Sequence, residues 1–156
     1  MNELVSHDHA ACVSDALDKA TEICADRGLR LTVLRKRVLE LVWQAHKPIG
    51  AYTILAHLSE DGRKAAPPTV YRALDFLLEE GLVHRLASVN AFVGCSDPGH
   101  TIFGQFLICS ECADVTELQD LGIVGAIEKS AAEKGFSVQG QVIEIVGVCP
   151  SCQIKD

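Results

Sequence analysis

From Pro67 to Arg85 the chain reads PPTVYRALDFLLEEGLVHR, and its apolar positions fall in helical step. Val70, Leu74, Leu77 and Leu78 recur at spacings of three and four, which predicts a single apolar stripe. Pro67 and Pro68 suit the first turn, where a missing N–H leaves nothing unpaired, and Gly81 suits the position just past the end. Thr69, Tyr71, Arg72 and Asp75 lie off the stripe, so the polar groups gather in the first turn and a half. A hydroxyl, a phenol and a guanidinium on the outer face of a helix start suit a DNA major groove. The same pattern also suits an ordinary amphipathic helix.

The same periodicity predicts the elements on either side. Met1 to Ala11 reads as a mobile arm; His7 and His9 are available there to a metal, but a frayed terminus is the preferred reading. Cys12 to Arg27 is a helical pattern closed by Gly28, with Ala16, Ala20, Ile23 and Cys24 on one side. Thr32 caps a second helix, TVLRKRVLELVWQ, with Val38, Leu41 and Val42 inward, and Lys47-Pro48-Ile49-Gly50 breaks it. Ala51 to Leu58 is a short helix with Ile54, Leu55 and Leu58 inside, and Asp61-Gly62 is a turn. Beyond Gly81, Leu82 to Leu86 and Ala91 to Val93 flank Ser88-Val89-Asn90 as a hairpin. Helices followed by a hairpin are the order of a winged helix, a helix-turn-helix variant. The second half differs: strands at Ile102 to Ile108, Asp114 to Leu118 and Val142 to Val148, and a helix at Val124 to Lys134. The fold class is therefore α+β. A unit of roughly 60 residues buries little surface alone and calls for a metal, a partner or both.

Charge changes this picture. The net charge of −7 argues against nucleic acid, yet from Arg27 to Arg72 nine basic residues face three acids, a local +6. From Asn90 onward three lysines face nine acids, a local −6. Phosphate contact depends on the local field, so the basic stretch around the candidate reading helix is a usable footprint. No apolar run reaches membrane-span length, and MNELVSHDHAAC lacks the layout of a signal peptide. The expectation is a cytoplasmic protein with no membrane and no small-molecule substrate.

Seven cysteines in a reducing compartment point to metal before disulfides. Cys109-Ser110-Glu111-Cys112 and Cys149-Pro150-Ser151-Cys152 are two C-x-x-C pairs, 36 residues apart. Each pair fits a tight knuckle, and two knuckles complete a tetrahedral four-sulfur zinc site with no open position, hence a structural one. Cys24 reads as a buried small hydrophobe. His84, Cys95, His100 and Glu117 fall near the seam between the halves, a mixed N, S and O set suited to an exchangeable zinc. Taken singly, each is equally well a surface histidine, a buried thiol or a solvated carboxylate. A zinc hydrolase or deaminase is disfavoured, because no His-x-Glu precedes a Pro-Cys-x-x-Cys and a closed site leaves no room for substrate.

KAAPPTVYRALDFLLEEGLVHR, then FLICSEC and the later CPSC, resemble the ferric uptake regulator family, and within it the zinc uptake regulators most. The resemblance runs from about Ala20 to Cys152 and includes RGLRLTVLRKRVLEL. It implies a homodimeric repressor of operator DNA, with a winged-helix DNA-binding domain over 1–93, a hinge loop over 94–101 and a dimerisation domain over 102–156. It implies two zinc ions per protomer: a structural one on Cys109, Cys112, Cys149 and Cys152, and a regulatory one on His84, Cys95, His100 and Glu117. It also places DNA contacts on Tyr52 and Arg72. The iron- and peroxide-sensing members, the alternative within the family, carry a histidine-rich run where this chain has Phe103-Gly104-Gln105-Phe106. Zinc sensors often show His-x-His in the preceding loop, whereas here Ile102 takes the second place.

Overall fold

A computed structural model describes residues 9–98 and 103–154 of the chain; His7, His100 and Ile102, singled out above, lie outside them. The chain divides into two compact units, Met1–Gly99 and His100–Asp156.

The first unit opens with α1 (His9–Asp26), which Gly28 ends in the left-handed conformation at φ +67°. Thr32 then accepts a bond from the Arg35 N–H and starts α2 (Val33–Gln44). After α3 (Ala51–Glu60), Gly62 turns the chain at φ +76° into α4 (Pro67–Glu79), with its proline pair in the first two positions and Gly81 at φ +69° beyond it. The α4 stripe is broader than its spacing predicts: Ala73 and Phe76 are buried along with Val70, Leu74 and Leu77. These meet Val38, Leu39, Ile54 and Leu58 in one core. Each such aliphatic side chain contributes about 1.5–3 kcal/mol on burial, so the core fixes the direction of α4.

Strands β1 (Val83–Leu86) and β2 (Ala91–Gly94) pair antiparallel around one 3-10 turn, Ala87–Val89, and Asn90, at φ 47°. Ile49 adds a one-residue antiparallel bridge to β2 by exchanging backbone bonds with Phe92 at 3.0 and 2.9 Å. The predicted break at Lys47–Gly50 therefore also carries a strand-like pairing. A Cβ on Gly94 would lie 2.4 Å from the Trp43 ring, so only glycine lets the hairpin approach α2 there.

The second unit is one three-stranded sheet in the order β4-β3-β5, with β3 (Phe103–Cys109), β4 (Val115–Glu117) and β5 (Gln141–Gly147). β3 pairs antiparallel with β4 and parallel with β5, the crossover being α5 (Leu121–Glu133). Asp120 accepts bonds from the Gly122 and Ile123 N–H groups, so α5 starts three residues before its apolar period suggests. A short α6 (Pro150–Gln153) follows β5. Buried apolar side chains of this unit are few among the described residues, chiefly Phe106 and Ile108, while Leu121, Phe136, Val142, Val146 and Ile154 are exposed.

Candidate metal centre and nucleic-acid interface

The parallel register sets Cys109, the last residue of β3, opposite Gly147, the last residue of β5. Both strands therefore deliver their following turns to the same end of the sheet. In the first turn the Ala113 N–H bonds back to the Cys109 carbonyl at 3.0 Å, and Ala113 takes φ 59°. In the second, Cys149 sits at the start of α6, with Pro150 in the first helical position. The Ser110 N–H ties the two by donating to the Gly147 carbonyl at 2.8 Å.

Two such turns place four ligand atoms together: the sulfurs of Cys109, Cys112, Cys149 and Cys152 all lie within 4.8 Å of one another. The Cys112 and Cys149 sulfurs are 3.8 Å apart. Backbone N–H groups of Cys149, Cys112 and Glu111 converge on the Cys109 sulfur and lower its pKa to about 6. Cys152 is pushed up to about 12, first by its hydrogen bond with Cys149 and then by burial. Four sulfurs this close cannot all be thiolates without a countercharge. A dication would supply it, and the spacing, the all-sulfur donor set and the four-fold count fit zinc with no open position.

The other predicted ligands divide between the units. In the first, His84 lies opposite Val93 in the hairpin, and the Cys95 N–H extends the ladder to the Leu82 carbonyl at 3.0 Å. Two-residue periodicity then puts His84 and Cys95 on one face as diagonal neighbours. Both are buried, 6% and 8% exposed. Glu117, half-buried, ends β4 in the second unit. Cys95 also lines a cavity of about 260 Å³ together with Cys12, Leu39, Trp43 and Leu82. Periodicity along the chain gave no sign that Cys12, on α1, stands near Cys95.

The candidate DNA contacts gather on the first unit. Tyr71 and Arg72 are exposed in the first turns of α4, and Thr69 beside them is half-buried. Tyr52, 68% exposed on α3, borders the same crevice as Pro67, Val70 and Tyr71. The basic stretch is less uniform than its count. Arg27 is paired with Glu80 at 2.7 Å, Arg37 with Glu40 and Asp61, and Arg35 lies 3.7 Å over the Phe76 ring. Arg30, Lys36, Arg63, Lys64 and Arg72 are exposed. Their charges are open to an anion.

Among the described residues no helix is long and apolar enough to cross a membrane. The sequence profile of the Ferric uptake regulator family matches residues 26–146. The zinc uptake regulation protein of Escherichia coli (strain K12) is 42% identical over 141 residues, 88% of this chain and 81% of that protein. The ferric uptake regulation protein of Legionella pneumophila is 31% identical over 137 residues, covering 82% of this chain and 94% of that one. Among solved structures, a zinc uptake regulator complexed with zinc and DNA superposes with a TM-score of 0.82 at 41% identity, over 90% of this chain and 95% of that chain.

Proposed function

This chain belongs to the ferric uptake regulator family, and from that premise we propose that it is a cytoplasmic, zinc-responsive transcriptional repressor without catalytic activity. It binds operator DNA as a homodimer and controls zinc uptake genes. The likeness, along 90% of the chain, to a zinc uptake regulator solved with zinc and DNA carries this reading most strongly.

Each protomer would hold two zinc ions. Cys109, Cys112, Cys149 and Cys152 would hold the structural one, and His84, Cys95, His100 and Glu117 the regulatory one. Bound zinc supplies charge neutralisation and a fixed ligand geometry, with no chemistry on a substrate. The domains follow as 1–93 for DNA, 94–101 as hinge and 102–156 for dimerisation. The exposed apolar side chains of the second unit, Val142, Val146 and Leu121 among them, are what a partner protomer would cover.

Gathering His84 and Cys95 with His100 and Glu117 on one ion ties the hairpin of the winged helix to the second unit. The two winged helices of the dimer are then held at the separation of successive half-sites, and DNA no longer carries the cost of ordering them. In each, Tyr71 and Arg72 would face base edges, with Thr69 and Tyr52 alongside. Linkage requires that DNA tighten zinc by the factor that zinc tightens DNA. The test is a zinc titration followed by DNA binding on one purified sample, with duplexes selected from a random pool. Selection that iron promotes and zinc does not would favour the iron-sensing branch of the family and overturn this reading.

A further inference from the structure

Arg37 belongs to the basic stretch by sequence, yet its guanidinium is turned away from solvent partners. From the second turn of α2 it forks onto Asp61, Nε donating to Oδ2 at 2.7 Å and Nη2 to Oδ1 at 3.0 Å. Its Nη1 donates to Glu40 Oε2 at 2.7 Å. The Arg37 and Asp61 side chains are only 24% and 30% exposed. A planar fork of this kind fixes direction as well as charge, which a lysine at the same place does not.

Asp61 occupies a mechanically sensitive position. It caps the C-terminus of α3, and the chain then turns through Gly62 and bonds back from the Arg63 N–H to the Leu58 carbonyl at 3.0 Å. Arg63 and Lys64 follow, both exposed, and two residues later Ala66 opens α4 without a side-chain cap. The loop thus brings two cations beside the positive end of the helix that carries Thr69, Tyr71 and Arg72. It also brings a carboxylate, Asp61, whose charge would oppose phosphate were Arg37 not on it.

We propose that the Arg37–Asp61 pair positions the α3–α4 loop for DNA, so that Arg63 and Lys64 meet phosphates beside the first turn of α4 while Arg37 itself touches no DNA. The proposal rests on the DNA-binding reading above and adds to it a positioning residue and a phosphate-contacting loop. Released from α2, the loop would have to be ordered at the moment of binding, and that ordering cost weakens the complex.

Two variants separate this from the simpler idea that Arg37 is one more phosphate contact. Arg37→Lys keeps the charge and loses the fork. Asp61→Asn removes a negative charge from the DNA-facing side and loses the ion pair. If Arg37 contacted phosphate directly, Arg37→Lys would bind nearly as wild type, and Asp61→Asn would bind more tightly because it frees a cation. Positioning requires the opposite sign: both variants bind more weakly, by roughly 2- to 30-fold, the range for residues that act through a packed network. The measurement is fluorescence anisotropy of the zinc-loaded full chain on a duplex selected from a random pool by the wild type, across a salt series, with folding checked by circular dichroism. Lys64→Ala should lower the slope of log affinity against log salt by about 0.9 in the wild type, and by less in Asp61→Asn. Equal loss in both backgrounds, an undiminished Arg37→Lys, or a tighter Asp61→Asn overturns the positioning role and leaves the repressor intact. A wild type that selects no duplex at any zinc concentration overturns the repressor reading and this proposal with it.

Discussion

The backbone N–H of Cys149 donates to the Cys109 sulfur at 3.3 Å, a bond between residues 40 apart in the chain. One knuckle thus orients the other even before any metal is considered. Structural zinc sites of this type are worth about 10–16 kcal/mol, far more than the small apolar core of the second unit can replace. Cys149→Ser should therefore lose tightly held zinc and the dimer together. Mass spectrometry for zinc and light scattering for size check this; a dimeric Cys149→Ser with full zinc contradicts the assignment.

Gly94 against Trp43 gives a prediction on stability alone. A methyl group at Gly94 has no room beside the indole ring, and overpacking of this kind costs about 1–3 kcal/mol. Gly94→Ala should lower the midpoint of thermal unfolding, and fluorescence of Trp43, the single tryptophan, reports it directly. A midpoint equal to the wild type would mean that the hairpin slides off α2 at no cost.

At the reading helix the expected effects differ in kind. Arg72→Ala should cost about 1–3 kcal/mol and relax preference at one base pair, as loss of a base-edge contact does. Lys36→Ala should weaken all duplexes alike and reduce the salt slope by about one. Selection from a random pool with each variant distinguishes the two; unchanged preference in Arg72→Ala would make α4 a packing helix only.

Cys95 tests the switch. If the proposed regulatory site is correct, Cys95→Ser should keep the fold, the dimer and the four-sulfur zinc, and lose the proposed second, exchangeable zinc. Coupling between two ligands is typically about 1–3 kcal/mol, so a roughly 5- to 150-fold tightening of DNA by zinc should shrink toward none. His84→Ala and Glu117→Ala should act likewise. Anisotropy at buffered free zinc decides, and a Cys95→Ser that still tightens on DNA with zinc moves the sensing site elsewhere.

Much of the first unit is legible in the chain because its signals are local. The Thr32 cap, the Pro67-Pro68 start and the glycines at 28, 62 and 81 are each set by backbone constraints within a turn. The Ile49–Phe92 pairing was not legible, since one isolated rung has no period to read. The early start of α5 was signalled by Asp120, a cap that the apolar period of the helix conceals. Charge counts gave the basic stretch but not its partners: Glu80, which holds Arg27, lies outside the stretch, and the Arg37–Asp61 pair joins two helices. The four-cysteine cluster was legible because two knuckles need only their own spacing. His84 and Cys95 share a face through hairpin register, whereas nothing in their spacing ties them to Glu117 on a separate unit.

The parallel pairing of β3 with β5 has a consequence in time. Helices and a tight hairpin form from contacts between near neighbours, whereas strands joined by a crossover must first close a long loop, which is slow. The first unit should therefore fold early and the second late, its zinc knuckles meeting only when β5 reaches β3. On the function proposed, the molecule would for that interval carry its DNA-binding surface but not yet the clasp that pairs it with a second copy. A cell short of zinc would prolong the interval, so scarcity would slow the maturation of the repressor as well as relax its grip.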